Sequence, residues 1–250
     1  MLLKERRIII TGASSGIGAA AARRFAAEGA SLVLGARRAA ALEDLAGALR
    51  TAGGTAFTLA GDVAEAGYAE ALVALAEQEM GGLDGAFNNA GITGAMEPVE
   101  AMRGETWDGV IATNLTGAFY AARAQIPALK RQGGGAIVFT SSFVGHTVGL
   151  PGMGAYGASK AGLIALAQVI AAEHGVEGIR ANCLLPGGTS TPMAGDDPGT
   201  LGWIAGLHAL KRMAAPEEIA EVALFLLSDM ASFVTGAAIL ADGGNSICKT

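Results

Sequence analysis

Cysteine is nearly absent. The 250 residues hold two, Cys183 and Cys248, far apart and outside any CxxC. That excludes a disulfide scaffold and a thiolate metal site, and reads as reduced thiols. Histidine is as scarce: His146, His174 and His208 have no metal-ligand spacing, so no metal is expected. Positive charge is short, with 17 Lys and Arg against 23 Asp and Glu and a net charge of −6. A nucleic-acid partner would need a basic patch. No uncharged apolar run reaches the roughly 18 residues of a membrane span. The opening MLLKERRIII has charges but no apolar stretch with a cleavage site, so a secretory signal is not expected. No linker, repeat or low-complexity tract divides the chain, which reads as one domain over residues 1–250. A cytoplasmic location is the expectation.

Small and apolar residues fill the space. Glycine numbers 38 and half the residues are hydrophobic. Short apolar runs alternate with helical stretches from end to end. RRIII, ASLVLGA, TAFTLAG, LDGAFNNAG, GAIVFTSS, IRANCLLPGG and GAAILADGG read as strands. Helices are predicted between them, among them GIGAAAARRFAAEG, a long region over 105–131, Ala155–His174, and APEEIAEVALFLLSD with its early proline. Strands apolar on both faces belong to parallel sheets covered on both sides. Their alternation with helices predicts an α/β doubly wound parallel sheet of about seven strands. Ligands in such sheets bind beyond the carboxyl ends of the strands.

The first loop in that position is TGASSGIG, Thr11–Gly18, between a strand and a helix. Gly12 permits a tight turn. Gly16 and Gly18 allow a close backbone approach to a pyrophosphate, at a helix N-terminus that favours anions. The P-loop lysine is missing, which argues against triphosphate hydrolysis. At the end of the second strand, where an acid would hold the ribose of NAD, the chain has Ala36 followed by Arg37 and Arg38. Guanidinium groups suit a 2′-phosphate, so NADP(H) is expected over NAD(H). Two solvated arginines at a helix start are the plainer reading.

Gly154-Ala155-Tyr156-Gly157-Ala158-Ser159-Lys160 raises a second question. On a helix, Tyr156 and Lys160 share a face. A nearby ammonium lowers a phenol pKa, which suits a proton donor to a carbonyl oxygen. An ordinary surface pair is the alternative.

Together these stretches resemble the short, single-domain branch of the short-chain dehydrogenase/reductases over essentially the whole chain. TGASSGIG is similar to that branch's TGxxxGxG turn, with Ser14, Ser15 and Ile17 inside it. Asp62-Val63 resembles its adenine-contacting pair after the third strand. NNAG brings Asn89, Ala90 and Gly91. Asn114 in TNLTGAF falls at an active-site asparagine, and Ser142 in FTSS at the catalytic serine. Tyr156 and Lys160 form YxxxK. PGGTSTPM, with Pro186, Gly187, Thr189 and Thr191, resembles the loop that holds the nicotinamide amide. ADGG near the C-terminus is also typical.

The resemblance implies a Rossmann-like fold and hydride exchange between a nicotinamide dinucleotide and a ketone, aldehyde or alcohol. Tyr156 is then proton donor or acceptor. Lys160 tunes it and binds the cofactor ribose, Ser142 holds the substrate oxygen, and Asn114 holds a relay water. 3-Oxoacyl reduction is one form of this reading. An NAD-dependent alcohol or sugar dehydrogenase and a non-catalytic dinucleotide sensor or scaffold are the competitors. The enoyl-reductase branch spaces its tyrosine and lysine further apart. Ser142 precedes Tyr156 by fourteen residues, one more than is usual, which leaves Ser141 as a second candidate. A substrate-loop segment is expected at about 190–212, where Trp203, Ile204 and Leu207 form either a core face or a lid. Phe143, Val144, His146, Val148 and Met153 are candidates for the opposite wall, and His146 is either a bystander or a substrate contact. The family also implies a homo-oligomer, tetramer or dimer, with no membrane partner.

Overall fold

The computed structural model describes residues 1–248. Seven strands form one sheet: β1 Arg7–Thr11, β2 Ser31–Ala36, β3 Thr55–Ala60, β4 Gly85–Asn88, β5 Gly135–Thr140, β6 Ile179–Pro186 and β7 Ala238–Ala241. Their order is β3-β2-β1-β4-β5-β6-β7, and every neighbouring pair is parallel. The helices are α1 Gly16–Ala27, α2 Ala39–Thr51, α3 Ala66–Met80, α4 Gly104–Ile111, α5 Gly117–Arg131, α6 Gly154–His174, α7 Pro198–Gly206 and α8 Pro216–Leu227.

Because strand side chains alternate faces, each central strand feeds two cores. Ile8, Ile10, Leu32, Leu34, Val138 and Leu184 pack with α1, α2 and α8 through Phe25, Leu42, Leu45 and Leu224. Ile9, Val33, Ile137, Phe139 and Leu185 pack on the other face with α3, α5 and α6 through Leu72, Leu129, Leu163 and Ile170. This double burial is why the strand interiors are largely apolar, with most of the polar residues, such as Arg7, Thr11, Asn88 and Thr140, at strand ends.

The predicted helix over 105–131 is two helices in series. Between α4 and α5, residues Ala112–Thr116 form a turn of π-helix. α6 and its extension, Gly154–Glu177, are long and apolar enough to cross a membrane by length and composition. In the fold this helix lies along β6, with Ser159, Lys160 and Leu163 buried. Order reverses at β1, which has β2 on one side and β4 on the other. The loops leaving the two sides of that switch point enclose the main cavity.

Candidate active site

The cavity measures about 830 Å³. All the predicted site residues except Gly18 and Asn114 line it.

The floor of one half is the turn from β1 to α1. Gly12 and Gly16 have φ of +67° and +54°, a region that strains any side chain. Gly18 serves packing: a Cβ there would stand 2.3 Å from the Gly12 carbonyl oxygen. The first turn of α1 carries no acid, so its free N–H groups and dipole present an anion seat. Asn89 ties this turn to the sheet. Its Nδ2 donates to the Thr11 and Gly12 carbonyls at 3.3 and 3.5 Å, and its Oδ1 accepts from Thr140 at 3.1 Å. Thr11 Oγ1 accepts from the N–H groups of Asn89 and Ala90. The turn is thus held open for a bulky anionic guest that its missing side chains admit, and a dinucleotide fits.

The two arginines differ. Arg38 donates to Ser14 Oγ at 3.0 and 3.2 Å and to Ser15 Oγ at 2.8 Å. Arg37 is exposed, 4.0 Å from Asp62. Arg38 is therefore the guanidinium already drawn over the turn.

At the other half, β5 ends in Thr140, Ser141 and Ser142. Ser141 Oγ donates to the Lys160 carbonyl at 2.7 Å, which commits it to fixing α6. Ser142 Oγ accepts from Val144 N–H at 3.1 Å and hydrogen-bonds the Tyr156 hydroxyl. The geometry therefore favours Ser142 over Ser141. The turn Phe143–Val148, closed by bonds back to the Phe143 carbonyl, absorbs the extra residue.

Tyr156 and Lys160 do share a face of α6. Lys160 Nζ, however, lies over the phenol ring, 5.6 Å from its centroid, and donates to the Thr140 carbonyl at 2.7 Å. Burial raises the Tyr156 pKa, and the Ser142 hydrogen bond opposes it. The expected lowering by the ammonium is not realised, because the charge sits at the ring face rather than the hydroxyl. Burial instead lowers Lys160 to about 8, against a small opposing effect from Cys183. Cys183 is a core thiol that burial pushes up to about 12.

Asn114 sits in the π-turn, 1% exposed. Its Oδ1 accepts from Ile92 N–H, and its Nδ2 donates to the Ile92 carbonyl and to Ser159 Oγ, all within 3.0 Å. Both amide hydrogens are committed, so the side chain is a brace between the β4 loop and α6. Ser159, which sequence reasoning passed over, donates in turn to the Tyr156 carbonyl at 2.7 Å.

α7 buries no residue. Trp203, Ile204 and Leu207 line the cavity, so the stripe is a cavity wall and not a core face. Phe143, Val144 and Met153 line it too, whereas His146 and Val148 do not; His146 is exposed. Besides Ser159, sequence reasoning also missed Asn245 and His208. Asn245 lines the cavity with a buried Nδ2 that has no partner among the described residues, and His208 is buried behind the β6 loop. Neither belongs to a motif with a recognisable spacing.

Comparison with known proteins comes to the same place. A family model described as Enoyl-(Acyl carrier protein) reductase matches residues 12–246. The chain is 39% identical over 249 residues to 2,5-dichloro-2,5-cyclohexadiene-1,4-diol dehydrogenase of Sphingobium indicum, covering 97% of both proteins. It is 39% identical over 241 residues to cis-4-hydroxycyclohexanecarboxylate dehydrogenase of Sinomonas cyclohexanicum, covering 96% of both. The crystal structure of levodione reductase superposes with a TM-score of 0.94 at 35% identity, over 99% of this chain and 100% of that one.

Proposed function

The chain belongs to the short-chain dehydrogenase/reductase family, and from that premise we propose that it is an NADP(H)-preferring oxidoreductase of small ring alcohols and ketones. Members similar to it are NAD(P)-dependent enzymes that act on alcohol and carbonyl groups, and so does this chain. One observation carries the site assignment. The hydroxyls of Ser142 and Tyr156 meet at an apolar-walled cavity, with a buried ammonium directly behind them.

A bound nicotinamide supplies the hydride for carbonyl reduction and takes it up in alcohol oxidation. Tyr156 Oη gives its proton to the carbonyl oxygen, or receives it from the alcohol. Ser142 accepts from Val144, which leaves its one hydrogen to donate to the Tyr156 oxygen or, once substrate is bound, to the substrate oxygen, where it stabilises developing charge. Lys160 spends one hydrogen on Thr140 and keeps two for the cofactor ribose. Asn114 holds the β4 loop and α6 at the spacing this needs. Gly187, Thr189 and Thr191 form the nicotinamide seat, and α7 is the substrate lid. Tyr156 only four residues before Lys160 speaks for carbonyl chemistry over enoyl reduction. The relatives' cyclic substrates and the apolar walls from Phe143, Val144, Trp203 and Ile204 support a compact ring. A homo-oligomer belongs to the same proposal, supported by exposed Trp107 and Phe119 on α4 and α5.

NADP(H) preference rests on Ala36 in place of an acid and on Arg38 over the turn. Titration with NADPH and NADH, followed by nicotinamide fluorescence, tests it. Arg38→Ala should weaken NADPH about tenfold or more and leave NADH unchanged. Tighter NADH binding by the wild type, indifferent to Arg38→Ala, would assign NAD instead.

A further inference from the structure

One buried titratable side chain has no part in the chemistry above. His208 follows α7, is 2% exposed and has both ring nitrogens engaged. Nε2 faces the Gly188 N–H at 2.9 Å, and Nδ1 faces the Ile204 carbonyl at 2.8 Å. An N–H only donates and a carbonyl only accepts, so the ring is neutral with its hydrogen on Nδ1.

Its two partners belong to different parts of the site. Gly188 lies in the loop after β6, and Ile204 lies on α7; both line the cavity. The ring fits because the loop has no side chains there. A Cβ at Gly187 would stand 2.7 Å from Nε2 of His208. One at Gly188 would stand 2.9 Å from Cε1 of the ring and 2.3 Å from Cγ2 of Ile204. The Gly188 carbonyl is also taken, accepting from Ala214 N–H at 2.9 Å. Gly188 is thus gripped on both sides by the segment that returns from α7.

We propose that His208 is a positioning residue that couples the lid helix α7 to the nicotinamide loop Pro186–Thr189, so that the cofactor seat is complete only with the lid in place. This rests on the reading of that loop as the nicotinamide seat. With both nitrogens committed, His208 is not a general base. It transmits: a guest pressing on Trp203 or Ile204 is felt at Gly188, and a guest bonding the loop steadies α7.

The test uses the whole protein and NADPH, or NADH if the wild type binds it more tightly. Lys211 and Arg212, three and four residues past His208, are exposed and offer trypsin a cut in the coupled segment. Two quantities are read: cofactor affinity by nicotinamide fluorescence, and the slowing of that cut by cofactor, by mass spectrometry. His208→Phe keeps a ring but strands the Gly188 N–H and the Ile204 carbonyl. It should weaken cofactor binding about tenfold and abolish the cofactor-dependent protection. Gly188→Ala, which collides with the ring from the other side, should do the same. His208→Gln carries an acceptor and a donor and should stay within about threefold of the wild type, protection included. A side chain that merely fills space would lower the melting temperature of His208→Phe and leave protection intact. Wild-type affinity and protection in His208→Phe overturn the proposal. If His208→Phe gives no cooperative melt, His208→Gln decides: a cooperative melt with protection kept supports the coupling, and one with protection lost overturns it. Failure of the cofactor reading itself would show in the unmutated protein, before any variant is compared.

Discussion

Lys160 is a base weakened by its surroundings, and that has a measurable signature. Its folded value of about 8 lies below the ordinary 10.5. Below pH 8 the ammonium is charged in both states and its desolvation cost is present in full. Between 8 and 10.5 the folded state has lost the proton while the unfolded state keeps it, so the cost disappears as pH rises. Relative to Lys160→Met, the wild type should gain about 1–2 kcal/mol between pH 7 and 9.5, read from urea unfolding. Parallel pH responses in the two proteins would contradict the burial. Tyr156→Phe removes the proton but keeps the ring under the ammonium. Turnover should fall about 10²–10⁴-fold with NADPH binding nearly unchanged; substantial remaining activity would remove Tyr156 from its role. The sequence made the shared face of Tyr156 and Lys160 legible because helical spacing fixes Cβ positions. It could not say where Nζ would end, since four rotatable bonds and the Thr140 carbonyl decide that. His208 was illegible for a similar reason: its partners are two backbone groups, which leave no trace in side-chain spacing.

At the scale of elements, the glycine-rich turn and the apolar strands read directly from the chain, because each needs particular residue types. The π-turn Ala112–Thr116 did not. It has no composition of its own, and it holds Asn114, whose partners Ile92 and Ser159 lie far off in sequence. π-turns of this kind are costly and cluster at working sites. Deleting Ala112 should let α4 and α5 join as one α-helix and swing the preceding turn about 100° relative to α5. Stability by thermal melt should hold or rise, while carbonyl reduction is lost. An active deletion variant would mean that the bulge does not position Asn114. The role of α7 was also open, because a stripe at 203, 204 and 207 suits a core or a cavity equally. The structure puts these residues on the cavity, and α7 has no buried residue.

For the whole molecule, one ion pair ties distant parts of the sheet's rim. Arg7 at the start of β1 bonds both oxygens of Asp84, just before β4, and also the Gly81 carbonyl and Gln132, past the ends of α3 and α5. Burial pushes the Asp84 carboxyl up, but its bonds with Arg7 outweigh this and hold it below the usual range. A depressed carboxyl stabilises the fold above its unfolded pKa and loses that contribution as pH falls through the folded value. Asp84→Asn should therefore lower stability by about 2–4 kcal/mol at pH 7, and by progressively less as pH falls below the ordinary carboxylate range. Urea unfolding over a falling pH series measures it; a loss that stays equal across the series would point to packing instead of charge. The alternation of strands and helices made the fold class legible. The order of the strands lay beyond it, because apolar runs buried on both faces are interchangeable to the eye.

The strand order also bears on how the chain is made. Each neighbouring pair in the sheet is parallel, so no strand can find its partner through a tight hairpin. β4 completes the first half-sheet, yet its far edge stays uncovered until β5 is synthesised, from Asn88 to Gly135. At about 5–20 residues per second that is several seconds. GAFN carries neither the charge nor the proline that usually guards an open edge. During its own birth, this protein passes through an interval when the middle of its sheet is an open, unguarded edge.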